Sequence, residues 1–198
     1  MLSWAPLNGG FQVARALANH QIDLDDRRAA AEPRSHLARV VRQEGLNPQQ
    51  AVAMMTGAKV ARACYAVAEG GGVTVGAWCT AGLSNAMRVG DAATYSSAHA
   101  GTINLIVVAD RPMTGAAMVE ALQLAAEART LAVVEAGVKS TRSGLSATGT
   151  GTDCIAVAAP VRTPARRAER YCGMHTLLGE LIGRAVRESC TQAIRRAR

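Results

Sequence analysis

The run Leu105-Ile106-Val107-Val108-Ala109 constrains the fold of this chain most. Successive apolar residues rich in β-branched side chains leave no polar face, so the segment predicts a central strand buried on both sides. Val73 to Thr80 predicts a second strand, antiparallel to one within residues 58–69, with Gly70-Gly71-Gly72 breaking the pattern between them. Alanine-rich composition leaves a helix open over 58–69. Cys154 to Pro160 is a further apolar run of strand length, and Leu131 to Glu135 reads as another short strand. Helical spacing predicts helices over Arg34 to Glu44, with Leu37, Val40 and Val41 on one face, and over Gly115 to Arg129. Asn47-Pro48-Gln49-Gln50 looks like a helix start that would bury Val52, Met54 and Met55. A final long helix follows Gly173-Met174-His175-Thr176. It repeats Leu178, Leu181, Ile182, Ala185, Val186 and Ser189, pairs Glu180 with Arg184, and holds a Gly183 expected to mark close packing. The fold class expected is α/β or α+β, a single domain over residues 1–198 with a mixed sheet covered by helices.

Such a core must be packed with small residues. The chain has two Trp, three Tyr and one Phe among 198 residues, and 49% of it is hydrophobic. Close helix–sheet contact through Ala and Gly replaces aromatic bulk. The formal net charge of +7 favours anions without selecting one. No aromatic residues interleave with the arginines near the C-terminus, which argues against a nucleic-acid surface. Five cysteines with no CxxC pair argue against a disulfide scaffold. No apolar run spans a bilayer and the first residues do not form a signal peptide, so a soluble protein of a reducing cytoplasm is expected, with no membrane partner. The long apolar face of the last helix leaves a homo-oligomer open.

Polar residues collect at the ends of the expected strands. Ala147-Thr148-Gly149-Thr150-Gly151-Thr152-Asp153 stands just ahead of the Cys154 strand. Its glycines permit close approach of a ligand, its threonines favour extended backbone, and its hydroxyls and carboxylate can equally bond to their own backbone. Asn8-Gly9-Gly10 is a turn signal that can also hold a polar group at a ligand. Asn85 is either a turn former or a ligand contact. Asn104, beside the central strand, must find partners for its amide or turn toward a bound one. Glu120, Gln123 and Glu127 share one helix face, a solvated stripe or one wall of a polar cleft. His175 precedes the last helix, where the dipole disfavours its protonated form. His20, His36, His99 and His175 are far apart, and no metal site is expected. The GxSxG, GxxxxGK[ST] and HExxH signatures are absent.

In combination, Leu2 to Gly10, Met54-Met55-Thr56, Thr80-Ala81-Gly82-Leu83-Ser84-Asn85-Ala86, Gly101-Thr102-Ile103-Asn104, Glu127-Ala128-Arg129-Thr130, Ala147 to Asp153 and Gly173 to Glu180 resemble the adenosylcobinamide amidohydrolase family over nearly the whole chain. The resemblance implies hydrolysis of the amide joining the aminopropanol arm to adenosylcobinamide during corrinoid salvage. The products would be adenosylcobyric acid and 1-amino-2-propanol. The corrinoid would be the substrate partner, and no cofactor is expected. The family typically has Lys where this chain has Arg129. Positive charge is kept, but a guanidinium that stays charged is a poor proton-transfer group.

For that reaction the expected route is attack by water. Asp153 or Glu127 would orient the water, and His175 would carry a proton to the departing amine. Backbone N–H groups around Gly149 to Gly151, with Asn104, would receive the oxyanion. Asn8, Gly9, Asn85, Thr148 and Thr152 would help bind the substrate's amides. A competing route makes Thr148, Thr150 or Thr152 a covalent nucleophile, with Thr150 the catalytic candidate among them. Cys79 and Cys154 are weaker candidates, since small buried cysteines are common. A corrinoid-binding protein without catalysis is the main non-enzymatic alternative.

Overall fold

The computed structural model describes every residue except 24, 25, 94–100 and 165. In chain order the elements are β1 (Leu2–Ser3), β2 (Gly10–Phe11), β3 (Ala16–Gln21), α1 (Arg27–Ala31), α2 (Pro33–Gln43), β4 (Ala51–Thr56), β5 (Cys64–Gly70), β6 (Val73–Ala81), β7 (Ala86–Met87), β8 (Ile103–Ala109), α3 (Gly115–Glu135), β9 (Gly149–Thr150), β10 (Cys154–Ala158) and α4 (Leu177–Ala197). The fold is α+β. A six-stranded sheet has the order β2-β1-β10-β8-β6-β5, and β3-β4 and β7-β9 form two small sheets. Only β10 and β8 run parallel in the main sheet. It is therefore mixed, with β8 in its interior as the apolar run predicts.

Strand alternation divides the main sheet into two faces. Ile103, Leu105 and Val107 of β8, Val75, Ala77 and Cys79 of β6, and Ile155 and Val157 of β10 pack under α3 and α4. Ala117, Ala121, Ala125, Ala128 and Ala132 line the buried side of α3, so that helix can approach the sheet closely. On the opposite face the β3-β4 sheet covers β10 through Val52, Met54, Cys154 and Ala156. Beyond it, α2 packs Leu37 and Val41 onto Ala51 and Ala53. That cover reaches β6 at Thr80, through Asn19, and leaves Trp78 and Tyr65 partly exposed. Val108 of β8 and Trp78 of β6 are each 38% exposed, so the central strand is fully buried on one face only.

Four local expectations change. Asn47 caps only a 3-10 turn over Pro48–Gln50, and Val52, Met54 and Met55 lie in β4, paired in parallel with β3. A single turn suits that capping signal, because β-strand pairing takes over at once. Leu131 to Glu135 is not a strand but the last turns of α3, which runs on until Gly137 supplies a φ of +67°. Within 58–69, a 3-10 turn at Val60–Arg62 precedes a strand that begins at Cys64. Gly183 has open space where a Cβ would point; the close contact in α4 is at Gly179, where a Cβ would meet the Cys172 and Gly173 carbonyls.

The sheet has two distinct ends. The starts of β8 and β10 and the end of β6 share one of them. The β5–β6 turn, where Leu177 of α4 packs on Gly70 and Gly71, marks the other. β6 is nine residues long, so the two ends stand roughly 25 Å apart.

Candidate active site

Asp153 organises the first of these ends. Its Oδ1 accepts from Ile103 N at 2.9 Å and from the Thr150 hydroxyl. Its Oδ2 accepts from Thr150 N at 2.9 Å and from Arg129 Nη1 at 2.5 Å. The ion pair is nearly enclosed, with side-chain exposures of 13% for Arg129 and 7% for Asp153. Arg129 Nη1 also donates to the Thr148 carbonyl at 2.9 Å, which Thr130 Oγ1 reaches at 3.1 Å. One residue of α3 thus grips the Gly–Thr segment by both a carboxylate and a carbonyl. Gly149 makes the grip possible: a Cβ there would collide with the Arg129 guanidinium and Asp153 Oδ2. The indole N–H of Trp4 holds the Asp153 carbonyl at 2.7 Å.

The three threonines have different partners. Thr148 Oγ1 accepts from Val89 N at 2.8 Å. Thr152 Oγ1 shares a 2.7 Å bond with Thr102 Oγ1 and donates to the Gly101 carbonyl at 3.2 Å. Among the described residues, Thr150 alone of the three places its hydroxyl on a carboxylate. Two backbone donors expected to face a substrate are already engaged: Thr150 N by Asp153 Oδ2, and Gly151 N by the Asn85 carbonyl at 3.1 Å. The Asn85 side chain lies over the same turn, because a Cβ on Gly151 would come within 2.8 Å of Asn85 Nδ2.

Asn104 enters from the start of β8. Its Nδ2 donates to the Met55 carbonyl at 2.7 Å and to Asn19 Oδ1 at 2.8 Å, and Asn19 Nδ2 continues to Thr80 Oγ1 at 3.0 Å. The Met55 carbonyl accepts only, so it fixes which end of the Asn104 amide faces it. Asn104 Oδ1 is then left buried without a partner, as is Arg129 Nε. Buried polar atoms without partners are rare and costly, so two of them flanking Asp153 mark a place where a ligand can supply what is missing.

Asn85, Asn104, Thr148, Gly149, Thr150, Gly151, Thr152 and Asp153 therefore come together. Four other candidates lie elsewhere. Asn8, at a positive φ of 54°, ties its Nδ2 to the Pro48 and Ala51 carbonyls at 2.7 and 2.8 Å, at the far end of β4 from Met55. Gly9 is packed against the Ala5 carbonyl. Glu127 accepts from Gln123 Nε2 at 2.9 Å and lines a groove of about 1140 Å³ between α3 and α4, together with Met174, Gly183 and Arg187. His175 is exposed just ahead of α4, at the β5–β6 turn end. That groove is thus on the helical layer, away from Asp153. The Asp153 end nevertheless holds the interlocked ion pair and two of the three buried side-chain polar atoms without partners among the described residues, and that chemistry outweighs volume.

Neither cysteine considered as a nucleophile is primed for attack. Burial pushes the Cys154 thiol up to about 11, against the hydrogen bond to Ser3. Cys79 is raised well above the ordinary thiol value by its contact with Cys190 and by burial. His20 and His36 stack at 5.2 Å, and His99 lies outside the described residues. Among the described residues no group of three or more His, Cys, Asp and Glu is placed to hold a metal ion. No described helix is long and apolar enough to cross a membrane.

Arg129 escapes motif reading as the partner of Asp153: the pair joins segments far apart in sequence, and only the Arg129 charge, set in the Glu127–Thr130 segment, hints at a role.

An uncharacterized protein of Methanocaldococcus jannaschii is 29% identical over 204 residues, covering 93% of this chain and 78% of that protein. The crystal structure of the PH0078 protein from Pyrococcus horikoshii OT3 is 16% identical with a TM-score of 0.34, and the match covers 68% of this chain and 38% of that one. The family model described as adenosylcobinamide amidohydrolase matches residues 1–198.

Proposed function

The chain belongs to the adenosylcobinamide amidohydrolase family, and on that footing we propose that it hydrolyses the aminopropanol amide of adenosylcobinamide, giving adenosylcobyric acid and 1-amino-2-propanol. The observation that carries this reading is the family match over the whole chain. The Asp153 end supports it with a hydroxyl, a carboxylate and a guanidinium arranged in series.

Thr150 Oγ1 attacks the amide carbonyl carbon, and its proton passes to Asp153 Oδ1. Arg129 holds the carboxylate in place through Oδ2. A hydroxyl on a carboxylate that a third group orients is the arrangement an activated nucleophile needs. This contact favours the covalent route over direct attack by water. Collapse of the tetrahedral intermediate breaks the C–N bond, and the amine leaves with the transferred proton. Water then hydrolyses the Thr150 ester to release the carboxylic acid. Asn85 Nδ2, lying over the turn, is the proposed donor to the oxyanion, since Thr150 N and Gly151 N are committed elsewhere. Asn104 Oδ1 accepts from an amide N–H of the corrinoid. Glu127 and His175 stand outside this machinery because of where α3 and α4 place them.

The test is incubation of the purified protein with adenosylcobinamide, with 1-amino-2-propanol followed by mass spectrometry. Release above a protein-free control is expected, with an acyl-enzyme on Thr150 trapped by rapid acid quench. Folded protein that yields no aminopropanol would refute the hydrolysis. Turnover without any Thr150 adduct would assign the attack to water.

A further inference from the structure

We propose that the Trp4 indole is a substrate-binding residue, against which the corrin macrocycle rests while its side arm reaches Thr150. The ligand class rests on the amide-hydrolysis reading; the location rests on how Trp4 is tied to Asp153. The indole N–H donates to the Asp153 carbonyl at 2.7 Å. The carboxylate of the same residue accepts from the Thr150 hydroxyl and the Arg129 guanidinium. A single residue therefore joins the ring to the proposed nucleophile and its base.

Strand alternation decides on which side of the sheet the ring lies. Leu2 packs with Ile155 and Val157 under α3, whereas Ala5 packs with Val52 and Cys154 on the β3-β4 side. Trp4, two residues after Leu2 and one before Ala5, turns to the α3 side, where Arg129 meets Asp153. The other Trp is placed differently. Trp78 pairs with Ile106, which packs on the β3-β4 side, and its ring is stacked against Tyr65 with centroids 4.3 Å apart.

Core packing does not account for Trp4. It is 48% exposed, and among the described residues no other ring stacks on it. Single exposed apolar residues are common, but this one is fixed by a hydrogen bond to the segment that holds the reacting groups. The bond pins the side chain before a ligand arrives, so contact with it costs little further ordering. A rigid aromatic surface of this kind is what a binding anchor requires, and Trp is enriched among such anchors. A corrinoid that carries its scissile amide on a side arm must lay its macrocycle within one arm's length of Thr150. The indole is the large apolar group tied to that place.

Equilibrium dialysis of the purified protein with cobinamide, which lacks the adenosyl group, tests the proposal. Trp4→Phe and Trp4→Ala both lose the indole N–H, and only Phe keeps a flat ring. Kd is expected to stay within about threefold of wild type in Trp4→Phe. In Trp4→Ala it is expected to rise by about tenfold or more, the scale of removing one aromatic stacking surface. Turnover of adenosylcobinamide separates this contact from a merely structural role. The two variants share the loss of the hold on Asp153, so kcat is expected to fall alike in both, while KM rises in Trp4→Ala alone. Trp78→Ala, on the opposite face, is expected to leave Kd unchanged. Equal Kd in Trp4→Phe and Trp4→Ala would overturn the proposal. So would a loss of affinity in Trp78→Ala with none in Trp4→Ala, or a wild-type protein that does not bind cobinamide. A KM for adenosylcobinamide that responds to Trp4→Ala, beside a Kd for cobinamide that does not, would put the adenine on the indole and overturn the macrocycle contact too. Failure of the two readings is separable. Binding that needs the Trp4 ring without aminopropanol release sinks hydrolysis alone, whereas turnover with the same KM in Trp4→Phe and Trp4→Ala sinks the indole contact alone.

Discussion

Replacing Asp153 with Asn tests whether the Arg129–Asp153 pair holds the Gly–Thr segment in place. The substitution keeps the shape of the side chain but removes its charge and leaves one acceptor oxygen, so that an NH₂ group must face the backbone N–H of either Ile103 or Thr150. Arg129, with 13% side-chain exposure, is left with a nearly buried charge and no counter-charge in that contact. Breaking a buried pair by changing one partner costs about 3–5 kcal/mol. For a chain of this size that corresponds to a fall in Tm of roughly 6–20 °C, at about 2–4 °C per kcal/mol. Calorimetry and urea unfolding monitored by circular dichroism measure it. Arg129→Met in the Asp153→Asn background removes the stranded charge. The double variant is expected to lose at least about 1 kcal/mol less than the sum of the two single losses. A single-variant loss below about 1 kcal/mol, or additivity within about 0.5 kcal/mol, would refute the reasoning.

Gly179 and Gly183 lie one helical turn apart in α4 and should respond with opposite signs. Gly179→Ala drives a Cβ into the Cys172 and Gly173 carbonyls and is expected to destabilise by about 1–3 kcal/mol. Gly183→Ala meets open space and is expected to stabilise by about 0.5–1 kcal/mol, both read by urea unfolding. Gly149→Ala forces the Arg129 guanidinium off Asp153, so it should lower activity and stability together, and full activity at wild-type Tm would contradict the packing described. His20 is held below the ordinary imidazole value by burial first and then by the neighbouring His36, with Glu44 opposing. Its neutral form is therefore favoured in the folded state. Its stabilising contribution is present above the unfolded pKa near 6.5 and is lost as pH falls toward the folded value. His20→Gln should flatten the decline in stability between about pH 7 and pH 5, which unfolding curves across that range would reveal.

The strands that could be read in sequence were those with strong apolar runs or a clear turn. The run at Leu105 to Ala109, the glycine triplet between β5 and β6, and the periodic face of α4 needed no tertiary context. β3 was invisible because Ala16 to Gln21 mixes small and polar residues, and its strand state depends on pairing with β4. The end of α3 misled because Leu131 to Glu135 is apolar enough to suggest a strand. Nothing local breaks the helix there, and only Gly137 beyond it stops the chain. The site divides in the same way. Thr148 to Asp153 is a compact segment whose chemistry is legible by itself. Its anchors Arg129, Ile103 and Trp4 arrive from three other parts of the chain. Glu127 is two residues from Arg129 in sequence, but two residues on a helix turn a side chain to another face. The stacking of Tyr65 on Trp78 required the β5–β6 register, which sets them opposite each other.

The side of the molecule on which the chemistry occurs can be decided by one comparison of turnover with adenosylcobinamide. Thr150→Val removes the hydroxyl that rests on Asp153, and its kcat is expected to fall by about 100-fold or more. Glu127→Gln and His175→Ala, measured beside it in the same assay, are expected to keep kcat within about threefold of wild type, since neither group has a proton to move in the proposed steps. Full turnover by Thr150→Val, with collapse of either of the other two, would place the reaction on the α3–α4 side of the molecule and contradict the account.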